Sequence, residues 1–203
     1  MNDLYAAVVH DVKNQLAELS LRLGNRPDAQ QEMDIAINAA RRLSEILLMH
    51  RQENNQFSVN LDSVNAADFL AILAAEFREL FPKLTIEINT EQSPPFAFFD
   101  DVLVRMALAN ALHNACRFAH SKIQLSAYLQ DKMLVFEISD DGQGYSPTQL
   151  DTNGSQPSAV SGRGTGLGLY LANKIAELHH TENCHGKVEL SNNNGAVFRM
   201  KLP

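Results

Sequence analysis

Cysteine is scarce in this 203-residue chain, and its two copies, Cys116 and Cys184, stand in unrelated contexts. That usage excludes a disulfide framework and makes a reducing cytoplasm the expected setting. Long apolar runs are missing as well. Stretches such as 69–75 are far too short to cross a bilayer, so no direct membrane span is expected. No positively charged apolar leader precedes the first helical pattern, so secretion is not expected either. Basic clusters are also lacking, and the net charge is −7. A nucleic-acid surface needs grouped Lys and Arg, so nucleic acid is not an expected partner. No internal repeat is present.

What remains is an ordinary folded chain, 45% apolar and 20% charged, long enough for one large domain or two smaller ones. Its patterning divides it in two. Over 1–53, Tyr5, Val9, Val12, Leu16, Leu19 and Leu23 recur at alternating spacings of four and three, a coiled-coil seam. Gly24-Asn25-Arg26-Pro27-Asp28 breaks the pattern, and Met33, Ala36, Ala40, Leu43 and Leu47 form a second seam. Two helices cannot enclose a seam of this width. An antiparallel hairpin that pairs with a second copy into a four-helix bundle would bury it, so a homodimer through 1–53 is expected.

From 57 to 203 the pattern mixes helix and strand. Expected strands are 57–61, 84–89, 122–129, 133–139, 187–191 and 196–202, with Asn-Gly at the last turn. Expected helices begin after Asn65, run over about 101–119, and run over about 166–179. A polar loop covers 145–161, and the aromatic run Phe96, Phe98 and Phe99 reads as core packing. Elements in this order imply an α/β sandwich, with helices packed on one face of a mixed sheet.

Three segments carry chemistry. The helix over 101–119 is apolar nearly all round, yet Asn110, Asn114 and Arg117 share one face at spacings of four and three. Buried amides need partners; amide oxygens suit a hard cation and a guanidinium suits a phosphate, though core hydrogen bonding would satisfy the amides equally well. Asp140-Asp141-Gly142-Gln143-Gly144 closes a strand, a common turn sequence that also lets backbone approach a ligand. Gly162-Arg163-Gly164-Thr165-Gly166-Leu167-Gly168-Leu169 opens a helix and would present N–H groups to an anion. A dinucleotide fold would need a strand directly before those glycines, and a P-loop would need Gly-Lys-Ser/Thr. Neither is present.

Asn110-Ala111-Leu112-His113-Asn114-Ala115, Asp140-x-Gly142-x-Gly144 and Gly162-x-Gly164-x-Gly166-Leu167-Gly168-Leu169 together resemble the N, G1 and G2 boxes of the GHKL ATPases, in the order and spacing of sensor histidine kinases. The resemblance implies ATP and Mg²⁺ as cofactors. It matches Asn114 to the metal ligand, with Asn110 supporting it, and Asp140 to the carboxylate that reads the adenine amine. Gly142 and Gly144 would shape the adenine pocket. Gly162, Gly164, Thr165, Gly166, Leu167 and Gly168 would hold the triphosphate. Arg117 stands where many relatives have Lys. Residues 145–161 would be an ATP lid, mobile until nucleotide binds, without the Phe-rich motif often found there.

His10-Asp11-Val12-Lys13-Asn14-Gln15 resembles the H box of the same family. The seam directs Val9 and Val12 inward, so His10, Asp11 and Asn14 project outward. The resemblance implies that His10 accepts the γ-phosphoryl group, that Asp11 orients its ring, and that a response-regulator receiver domain takes the group onward. Asn14 or Gln15 would orient water for dephosphorylation, the choice between them staying open. Gln15 stands where Pro is usual. A sensory partner protein would supply input. The alternative role is a histidine phosphotransfer protein or phosphatase with a non-catalytic ATP site. His179, His180, Cys184 and His185 invite comparison with zinc sites, but their spacing matches no tight structural motif.

Overall fold

The protein is described from a computed structural model, which covers residues 59–155 and 167–203 together with Val12, Gln15, Leu16, Leu19, Ile35, Ala36 and Ala39. The chain forms two compact units, Met1–Ser58 and Val59–Pro203. In the first unit the seven described residues are all helical. Of the seam residues among them, Val12 and Leu19 are exposed in the single chain and Ala36 is buried. The turn at 24–28 lies outside the described residues.

The second unit starts with a short strand, β1 (Asp62–Val64), then helix α1 (Ala66–Leu80), β2 (Thr85–Asn89), β3 (Ala97–Phe99) and helix α2 (Asp101–Phe118). There follow β4 (Lys122–Gln130), β5 (Met133–Asp140), the short helix α3 (Pro147–Thr152), helix α4 (Leu167–Leu178), β6 (Lys187–Asn192) and β7 (Ala196–Leu202). Local chemistry sets several of these boundaries. Asn65 caps α1 by accepting from the amides of Ala67 and Asp68, and Asp100 caps α2 by accepting from Leu103. The β4–β5 turn is tight because Asp131 and Lys132 both take left-handed backbone (φ 51° and 66°).

A five-stranded sheet in the order β2-β4-β5-β7-β6 forms the platform. Only the β2–β4 pair is parallel, so the sheet is mixed, as the sequence implies. Register sorts its two faces. Leu125, Ile138, Phe198 and Leu190 pair across the strands, as do Ala127, Phe136, Met200 and Val188, and all eight are buried. The Phe136 ring meets Phe69 of α1 at 5.7 Å and Phe99 at 5.5 Å, which places the helical core on this face. The opposite face carries charge: Glu137 accepts from Tyr128 and Arg199, and Glu189 pairs with Lys187 and Lys201.

Two local readings are corrected. The expected strand at 57–61 lies later, at Asp62–Val64; Phe57 and Ser58 are outside the described residues, and Leu61 is exposed. Pairing decides this register: Asp62 faces Phe99, and the Asn60 amide is taken by the Asp100 carboxylate. The aromatic run is core at only one of three positions. Phe99 is fully buried, while Phe98, on the other side of the pleat, is 67% exposed and Phe96, just before the strand, is 65% exposed. Among the described residues no helix is long and apolar enough to cross a membrane.

Candidate nucleotide site

Helix α2 runs beneath the site, and ten of its residues, among them Leu103, Val104, Ala107, Leu108, Ala111 and Leu112, are buried. Asn110 is held in the same apolar setting, 2% exposed, and its Nδ2 has no hydrogen-bond partner among the described residues. A buried N–H donor left this way costs about 1–3 kcal/mol, a cost that an acceptor brought by a ligand would remove. Asn114 and Arg117, half-buried on the same face, are equally uncommitted among the described residues. Arg117 meets only the ring of its neighbour Phe118, at 5.4 Å.

β5 delivers Asp140 beside the end of this helix. A Cβ on Gly142 would stand 2.2 Å from the Phe118 carbonyl oxygen, so only glycine lets the turn lie against α2 so closely. Asp140 Oδ1 accepts from the amides of Gly142 (2.8 Å) and Ala196 (3.2 Å). Its Oδ2 accepts nothing among the described residues. The neighbours feel its charge. Burial first, and Asp140 second, push the Cys116 thiol up to about 12, so it stays protonated and unreactive at neutral pH. The same two causes, in the same order, raise Tyr145. Asp141 has a different role. Bonds from the Ser121 hydroxyl and amide, and from the His120 amide, hold its carboxyl well below the usual carboxylate range and tie the α2–β4 junction to the turn.

The first part of the loop expected over 145–161 contains a short helix, a correction to that loop, and residues 156–161 lie outside the described residues. Asn192, at the end of β6, accepts from the Tyr145 amide (2.8 Å) and donates to its carbonyl (3.0 Å). Ser146 and Gln149 then form a capping box with Pro147 in the first turn, and α3 follows. Asn153 closes α3 in left-handed conformation (φ 46°). Its Oδ1 takes the Leu190 amide of edge strand β6 at 2.9 Å, and its carbonyl accepts from Asn173 of α4 at 2.7 Å. None of these three asparagines belongs to a motif; a buried Asn inside a helix at 173 was the one signal open to sequence reading.

Gly162, Gly164, Thr165 and Gly166 lie outside the described residues, as do His10, Asp11 and Asn14. Leu167 begins α4 and Gly168 sits in its first turn, at the positive end of the helix. Gln15 is helical and exposed. The histidine–cysteine group near the end of α4 separates in space. His179 is buried, donating from Nδ1 to the Ile175 carbonyl and accepting at Nε2 from the Asp100 amide. The His180 and His185 rings stand 5.4 Å apart, Cys184 lies against Met133, and no metal-holding group of three is found among the described residues.

The donor set suits a Mg²⁺–nucleotide. Amide oxygens for a hard cation, a guanidinium for phosphate and an open carboxylate oxygen for an exocyclic amine stand together on α2 and β5. A mixed sheet backed by helices, with these groups on one helix and at the end of the central strand, is an arrangement suited to a nucleotide-binding ATPase domain. Residues 99–203 match the Histidine kinase-, DNA gyrase B-, and HSP90-like ATPase family, and the chain belongs to that family. Sensor proteins and histidine kinases are among the proteins it resembles. Sensor protein KdpD of Clostridium acetobutylicum is 27% identical over all of this chain and 24% of its own length. Sensor protein RstB of Escherichia coli is 25% identical over 98% of this chain and 48% of its own length. The chain thus spans between a quarter and a half of these relatives. Among solved structures, full-length ShkA in complex with AMPPNP aligns over 100% of this chain and 46% of its own, with a TM-score of 0.69 and 19% identity. The catalytic domain of histidine kinase ThkA aligns over 71% of this chain and 97% of its own, with a TM-score of 0.62 and 21% identity.

Proposed function

We propose that this chain is an ATP-dependent protein histidine kinase that phosphorylates its own His10 and passes the phosphoryl group to an aspartate of a response-regulator receiver domain. The observation that carries the reading is the buried Asn110, whose Nδ2 has no hydrogen-bond partner among the described residues, on one helical face with Asn114 and Arg117, in the helix whose end packs against the turn after Asp140. In this reading residues 1–53 are the dimerising phosphoacceptor hairpin, 57–203 the ATP-binding domain, and the site faces the cytoplasm, where ATP is available.

Asp140 Oδ2 accepts a hydrogen bond from the adenine amine and so selects adenine over guanine. Asn114 holds Mg²⁺, supported by Asn110; when bound, the ion supplies charge neutralisation for the phosphates. Arg117 steadies the phosphate oxygens. The residues from Gly162 to Gly168 direct backbone N–H groups at the triphosphate. One ring nitrogen of neutral His10 attacks the γ-phosphorus as the bond to the β-phosphate bridging oxygen breaks, and ADP departs. Asp11 orients the imidazole and takes the proton from its other nitrogen. Positioning and electrostatics supply most of the catalysis in such a transfer. Asn14 or Gln15 orients the water that removes the phosphoryl group from the receiver.

Transfer is tested by loading the chain with γ-labelled ATP, removing nucleotide, and adding receiver domains with and without their phosphoacceptor aspartate. Label should leave the chain and appear on an intact receiver only. Label that never moves, with every receiver tried, would contradict the onward step.

A further inference from the structure

The turn that carries Asp140 is gripped at both ends by the β6–β7 hairpin. Asn192 and Ala196 face each other as the last rung of that hairpin. Ala196 holds the start of the turn, its amide donating to Asp140 Oδ1 at 3.2 Å. Gly195 lies so close that a Cβ there would stand 1.8 Å from the Asp140 carbonyl oxygen. Asn192 holds the end of the turn. Its Oδ1 accepts from the Tyr145 amide at 2.8 Å and its Nδ2 donates to the Tyr145 carbonyl at 3.0 Å. One side-chain amide thus pairs with both backbone groups of a single residue. That amide also covers Gly144, where left-handed backbone (φ 81°) favours glycine and an added Cβ would stand 2.8 Å from Asn192 Cγ and Oδ1. Asn192 is exposed at the end of edge strand β6, and asparagine is a poor strand former. The strand itself has no use for an amide there; the turn does.

We propose that Asn192 is a positioning residue for nucleotide binding. Through it the hairpin fixes the backbone from Gly142 to Tyr145, the pocket wall that follows Asp140, before nucleotide arrives. The inference rests on the nucleotide reading above and gives Asn192 no contact with the ligand. Without its side-chain amide, Asp140 keeps the bonds from Gly142 and Ala196, but Tyr145 loses both of its ties to the hairpin. Nucleotide must then restore the geometry of the turn as it binds.

The test uses the whole chain with Asn192→Ala, beside Ser191→Ala as a control on the same strand. The Ser191 hydroxyl accepts from Arg199 and takes no part in holding the turn. Calorimetric titration with Mg²⁺-ADP should show affinity falling about fivefold in Asn192→Ala, the scale of two exposed neutral hydrogen bonds, and unchanged in Ser191→Ala. Hydrogen exchange at the Gly142 amide should accelerate in free Asn192→Ala and slow again under saturating Mg²⁺-ADP, while β4 and β5 amides keep wild-type protection. Unchanged ADP affinity in Asn192→Ala overturns the proposal, whatever happens to melting temperature, because the asparagine then only stabilises the fold. An equal loss of affinity in Ser191→Ala overturns it too, since hairpin stability alone would account for both. A wild-type chain that binds no Mg²⁺-ADP sinks the nucleotide reading itself, and the positioning role with it.

Discussion

Asp140→Asn separates recognition from folding at one atom. Asp140 Oδ1 holds the amides of Gly142 and Ala196. An asparagine must place its carbonyl oxygen there too, because its NH₂ group would meet two donors. The substitution thus keeps the turn and aims an NH₂ group where Oδ2 stood. Adenine's amine would face a donor instead of a charged acceptor. Losing one charge-assisted hydrogen bond is worth about 1.5–3 kcal/mol, or roughly 10- to 150-fold in Kd. Titration with Mg²⁺-ADP and Mg²⁺-GDP should show ADP affinity falling by that factor while the preference over GDP collapses, since guanine's O6 accepts. Circular dichroism should show the fold intact. A second readout lies in Cys116: burial still dominates, but with the Asp140 charge gone its thiol should titrate lower, above its ordinary value. A folded variant with wild-type ADP affinity and selectivity would refute the assignment of Asp140 to adenine.

Other outcomes follow from the same geometry. Phe99→Ala removes a fully buried ring that contacts Phe69 and Phe136, and should cost about 3–5 kcal/mol in denaturant unfolding. Gly142→Ala would put a Cβ 2.2 Å from a backbone oxygen, so it should both destabilise the domain by about 1–3 kcal/mol and abolish detectable Mg²⁺-ADP binding at wild-type concentrations. His179 is held below its ordinary 6.5, chiefly by burial. Its stabilising contribution is therefore present above that value and lost as pH falls from it through the lower folded pKa. The melting temperature should drop as pH falls below about 6.5, with a shallower drop in His179→Gln.

Much of the fold follows from local pattern. Asn65 announces the start of α1, the apolar helix over 101–119 appears as Asp101–Phe118, and Asn194-Gly195 marks the final hairpin. The strand near 60 was displaced because its register depends on Phe99 and Asp100, forty residues away, which local pattern does not see. Phe96 and Phe98 read as core from composition, although Phe98, next to Phe99, faces the opposite side of the strand and Phe96 lies before it. α3 went unread although Ser146, Pro147 and Gln149 spell a capping box, because the surrounding Gly, Ser and Asn resemble a loop. The three motifs were legible as residues. The packing of the Asp140 turn on α2 was not: the contact of Gly142 with Phe118, and the fastening of residues 145–153 by Asn192, Asn153 and Asn173, are long-range side-chain and backbone contacts without a local signature.

The central claim is that His10 receives phosphate from ATP bound at this site. Incubating the chain with γ-labelled ATP and Mg²⁺, beside His10→Ala, tests it directly. The account predicts acid-labile, alkali-stable label on the wild type and none on the variant, with Mg²⁺-ADP affinity equal in both. Label that persists in His10→Ala, or a wild type that binds Mg²⁺-ADP but never becomes labelled, would contradict it.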